Sequence, residues 1–110
     1  MSIFDFNMFL DNLKDELGTL ASEVGTDIRD ELIKDGLQFV HKTRDDLQSW
    51  SEQLLTGELS KDDFEWLIKS KKDLAEMHAL KQKGLAQARI DRFKTALVQT
   101  VIGSVTKMIP

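Results

Sequence analysis

Cysteine is missing from the 110-residue chain, which excludes a disulfide framework, a thiolate nucleophile and any cysteine-based zinc or iron–sulfur site. A reducing compartment suits such a chain, so the cytoplasm is the expected location. Proline occurs once, at Pro110, so nothing earlier in the chain forbids helix. Strand signals are nearly absent: Val98 to Val105 is rich in β-branched residues, yet its spacing is helical. No run approaches the roughly 18 consecutive apolar residues of a membrane span. Met1 to Leu10 lacks the basic start and cleavage site of a signal peptide, so a soluble protein is expected. The six glycines are isolated singles, which leaves no phosphate-cradling loop.

What is present is charge, unevenly divided. Residues 1 to 58 hold 13 acids against 5 Lys or Arg, a net of −8, and residues 59 to 110 hold 6 acids against 10, a net of +4. Two complementary halves read either as surfaces that meet in the fold or as a basic half that meets an anionic partner.

The apolar spacing is helical throughout. Phe6, Leu10, Leu13, Leu17, Leu20 and Val24 form one stripe. Phe39, Thr43, Leu47, Trp50 and Leu54 form a second, out of phase with the first, which predicts a break between residues 25 and 37 at Gly25 or Gly36. At the midpoint, Gly57 reads as a helix C-cap and Ser60 as an N-cap with Asp62 and Asp63 in the first turn. Phe64, Leu67, Ile68, Leu74 and Ala75 then share a face with Lys71 and His78, while Trp66, Met77 and Leu80 line the opposite side of the same helix. Lys81, Lys83, Gly84 and Leu85 end it, and Ile90, Phe93, Leu97, Val101, Val105 and Met108 carry the last helix.

The expectation is a single all-α domain over residues 1–110, an antiparallel up-down four-helix bundle with helices near 3–24/35, 37–56, 60–83 and 85–109. The alternative is a long two-helix hairpin, roughly 75 Å from end to end, that dimerises into a four-helix assembly.

Chemistry is harder to find. Di-metal bundles need a glutamate three residues before a histidine, and the residues at those positions before His41 and His78 are Gln38 and Ala75. No nucleophile elbow occurs. Lys71 and His78 on an apolar face read as a lysine that reaches the rim and a histidine with an ordinary partner, against the rival of a catalytic pair. No metal or cofactor is expected, and the chain reads as non-enzymatic. The basic stretch from Lys69 to Lys94 lacks aromatic interleaving, which disfavours nucleic acid.

The remaining signal is apolar surface in excess of one bundle stripe. Ile3, Phe4, Phe6, Met8, Phe9 and Leu10 cover much of the first helix, and Val98, Ile102 and Ile109 widen the last. These segments either cap one another, bind a protein or lie on a membrane surface. Phe4, Met8, Phe9, Trp66, Met77, Leu80, Ile102 and Ile109 are the candidate contact residues for a second copy or a protein partner. A lipid surface is the alternative partner.

Overall fold

Asp5 opens the first helix by accepting the Met8 amide on its carboxylate at 3.0 Å, an N-cap that holds α1 (Phe6–Val24). The computed structural model describes residues 4–109; the expected start at residue 3, the apolar role of Ile3 and the helix stop at Pro110 lie outside them. Five further helices follow: α2 (Arg29–Lys42), α3 (Arg44–Thr56), α4 (Lys61–Lys69), α5 (His78–Gln82) and α6 (Gln87–Thr106), with 3-10 turns at Thr26–Ile28 and Lys72–Leu74. The described residues contain no strand, and the all-helical class is as the periodicity predicts.

Six helices replace the expected four for two reasons. The second expected helix is interrupted at Thr43, whose buried hydroxyl donates to the Phe39 carbonyl at 3.0 Å and separates α2 from α3. Threonine hydroxyls that bond back to the preceding turn compete with the helical ladder and bend it. The third expected helix stops at Lys69, and the chain reaches α5 through the 3-10 turn and an extended stretch in which Ala75 and Met77 are buried while Glu76 is exposed. That alternation is the period of extended chain, not of helix.

The central turn is as the sequence reads it. Gly57 takes φ 82° and its amide donates to the Leu54 carbonyl, while the Ser60 hydroxyl accepts the Asp63 amide at 3.1 Å. Gly84, at φ 80°, ends α5, and the Leu85 amide returns to the Leu80 carbonyl at 3.2 Å. The first break falls at Gly25, and Gly36 lies inside α2, so Gly36 is not a helix terminator.

Gly36 serves packing instead. A Cβ built on it would stand 3.1 Å from Leu17 Cδ1 and 3.3 Å from Leu97 Cδ1, so the missing side chain is what lets α1 and α6 approach α2 together. α1 packs mainly against α2 and α6, and the core runs through Phe9, Leu13, Leu17, Leu32, Phe39, Leu97 and Val101. With a radius of gyration of 13.9 Å and a longest extent of 43 Å, the chain is too short for the extended hairpin. A globular chain of this length is expected at about 13 Å.

α5 has five residues and no local side-chain cap. Asp35 of α2 supplies one from 44 residues away: 6% exposed, its Oδ2 accepts the Ala79 amide at 2.9 Å. This bond fixes where α5 docks and thereby brings Ala79 and Leu80 into the core.

Two sets of substitutions test this packing. Gly36→Val should lower unfolding stability by about 1 to 3 kcal/mol through overpacking. Gly103→Ala, on α6 with nothing within 4 Å of an added Cβ, should raise it by about 0.5 to 1 kcal/mol; chemical denaturation reads both. Asp35→Ala should cost about 1 to 2 kcal/mol and speed amide exchange selectively in residues 78–82, whereas Asp35→Asn, which keeps the acceptor, should retain most of the protection.

Candidate interaction surface

The core settles the position of most of the candidate contact residues. Phe4 (3% exposed), Phe9, Met77 and Leu80 (0%) and Ile102 (3%) are buried, and Ile109 is half-buried; only Met8, at 53%, and Trp66, at 69%, are open. The buried five are therefore core residues, not an exposed contact surface. Phe4 and Phe9 form an aromatic cluster with Phe6, with centroids 5.3 to 6.4 Å apart. Arg44 covers the Phe6 ring at 4.6 Å, and Gln48 donates to the Phe4 carbonyl. The apolar N-terminal segment is thus capped from α3. Spacing places Met77 and Leu80 on a second face of one long helix; that helix ends before them, and the extended segment and α5 turn both residues inward.

Trp66 is left behind by the same change. It lies on α4, whose Phe64 and Ile68 are buried against the body. Around it on the open side are Asp62 and Asp63 one turn toward the N-terminus, and Lys69 and Ser70 one turn toward the C-terminus, all exposed. Leu74, at 43%, is the other large apolar residue exposed among those described besides Met8. The contrast with Trp50 is direct: Trp50 is half-buried against the core, and Lys71 Nζ sits 5.8 Å above its ring.

A second feature is a groove of about 750 Å³ along the outer flank of α2, with Ile33 and Leu37 in its floor and Lys34, His41, Lys42 and Glu76 around it. Its polar rim is tied together: Glu76 pairs with Lys42 at 3.2 Å and with His78 Nε2 at 3.0 Å, and the hydrogen bond and charge of Lys42 together with His78 hold the Glu76 carboxyl below the usual range. Each of these three side chains is about half exposed. His78 has an ordinary acidic partner, and Lys71 reaches Asp46 at 3.3 Å, as the rim reading expects. Among the described residues no group of acids and histidines is arranged to hold a metal, and no helix is long and apolar enough to cross a membrane.

The charge halves meet within the fold. Asp46–Lys71, Asp27–Lys83 and Glu16–Lys107 each join an acid of the first half to a lysine of the second. Lysines engaged in this way are less available to a phosphate backbone. Burial pushes the Glu16 carboxyl up, but hydrogen bonds from Lys107 and Ser104 and the Lys107 charge more than offset it, so its pKa lies below the ordinary value.

No protein family, curated protein or solved structure matches this chain.

Because the Glu16 carboxyl titrates lower folded than unfolded, the stability it contributes is fully present above the unfolded value. That contribution is lost as pH falls through the folded one. Glu16→Gln should therefore lower the melting temperature at neutral pH and leave it nearly unchanged below the carboxylate range, a difference that calorimetry across pH reads directly.

Proposed function

We propose that the protein is a non-enzymatic helical interaction module that works in the cytoplasm and recognises a protein surface through the α4 face around Trp66, by self-association or as an adaptor. The observation that carries this reading is Trp66, the most exposed large apolar residue among those described, at 69%. The apolar residues around it, Trp50, Leu54, Leu55, Leu59, Phe64 and Ile68, are buried or packed against the core, and Leu74 is less open, at 43%. Leaving an indole in water forgoes roughly 2 to 3 kcal/mol of burial, and tryptophan is the residue type most enriched at the centres of protein interfaces. The exposed acids and lysine around it supply the polar rim such a contact uses.

The alternative of a lipid-surface protein has less support. It relied on the apolar terminal segments, and Phe4, Phe9 and Ile102 are buried. Of the open apolar residues, Met8 and Trp66 sit beside Asp5 and Asp62, which disfavour an anionic bilayer.

A photo-crosslinking amino acid at position 66 tests the reading. It should trap one predominant protein, either this chain or another, in clear excess over the same group at the exposed control position 11. Equal, diffuse labelling at the two positions would show that the Trp66 face is not a contact surface.

A further inference from the structure

We infer that the occupant of the Trp66 face is a second copy of this chain, packed antiparallel about a two-fold axis that passes beside Trp66. This rests on the reading of Trp66 as a contact residue and goes further by naming the partner and its register.

The inference comes from how charge is placed on α4. Asp62 and Asp63 occupy its first turn and Lys69 its last, and all three are exposed. Among the described residues none of the three belongs to an ion pair within the chain. Helical geometry of about 100° and 1.5 Å per residue sets Asp62 about 40° to one side of Trp66 and roughly 6 Å below it. Lys69 falls about 60° to the same side and roughly 4.5 Å above. A two-fold axis perpendicular to the plane of two antiparallel helices keeps the side and inverts the height. It therefore sets Asp62 of each copy opposite Lys69 of the other, twice, with the two tryptophans between them. On the other flank Asp63 faces the small, neutral Ser70. Residues that are self-complementary under one rotation are the signature of an isologous interface. A parallel two-fold arrangement would instead set Asp62 of each copy against Asp63 of the other and leave each Lys69 facing Ser70.

The same geometry limits the strength. α4 has nine residues, about 13.5 Å of helix at 1.5 Å per residue. A contact of that length falls in the small, transient class of interface, so the dimer should be weak, with a dissociation constant on the order of 100 µM. Concentration then becomes the variable that populates it.

Light scattering and sedimentation from about 5 to about 500 µM, a range that brackets the expected constant, test the inference. The mass of the native chain should rise from monomer toward dimer, and Trp66→Ala should abolish the rise. Lys69→Asp and Asp62→Lys should each weaken self-association roughly tenfold or more, because each turns two attractions into repulsions. An equimolar mixture of the two variants should restore a dimer, since every acid then meets a lysine. Restoration also shows that both variants are folded. A native chain that stays monomeric over the whole range overturns self-pairing while leaving the crosslinking result at position 66, and with it the interaction reading, standing. A dimer unaffected by Trp66→Ala forms elsewhere and overturns self-pairing through this face, with the crosslinking result again deciding the interaction reading. A Trp66-dependent dimer indifferent to charge inversion overturns the two-fold register.

Discussion

The absence of one side chain, at Gly36, is the constraint on which the rest of the packing depends. Leu17 and Leu97 close on the bare backbone of α2 there, with 3.1 and 3.3 Å to the Cβ that is missing. That approach brings α1, α2 and α6 into a single core. The preceding residue, Asp35, uses the same placement of α2 for a different purpose, since its buried carboxylate caps α5 at Ala79. Two adjacent positions therefore hold four of the six helices. Docking α5 in turn draws Met77 and Leu80 inward, and the chain that connects it to α4 leaves the helix. Trp66 is stranded on the far side of a helix that ended one turn later, at Lys69.

Local chemistry was legible wherever the groups that decide a structure lie close together in the sequence. Gly57 and Ser60 act on amides and carbonyls two to four residues away, so their roles could be read from their types alone. The rim role of Lys71 was equally readable, because a lysine on an apolar face has few other options. What escaped was decided at a distance. Residues 70 to 77 contain neither proline nor glycine, so nothing local marks the break; the break exists because Asp35 offers α5 a cap from 44 positions away and because Ala75 and Met77 fill the core. A count of large apolar residues also misses the places where helices come closest. Gly18, Ala21 and Ala79 are buried too, and small residues are what close approach requires.

The candidate surface shows the same division. Five of the residues in excess of one stripe are in excess only of a regular four-helix bundle. Once the third helix splits, Met77 and Leu80 are core, and once α3 covers the N-terminal aromatics, so are Phe4 and Phe9. The excess apolar surface is thereby reduced to a few side chains, of which Trp66 is the largest. Its exposure followed from spacing alone, because it lies opposite Phe64 and Ile68 on a helix one of whose sides is already packed.

Charge asymmetry has two scales in this protein, and they act differently. Between the halves, acids and lysines pair across the body at Asp46–Lys71, Asp27–Lys83 and Glu16–Lys107, where both members belong to one chain. Along the nine residues of α4 the asymmetry repeats, with Asp62 and Asp63 in the first turn and Lys69 in the last, as the helix dipole favours for each end. The internal pairs leave the α4 charges unspent, so an antiparallel neighbour meets them in complementary order at little additional desolvation. A helix charged to suit its own dipole is by that fact charged to accept its inverted copy. Charge alone gives such a helix little reason to pair, and here the outward face also carries an exposed tryptophan.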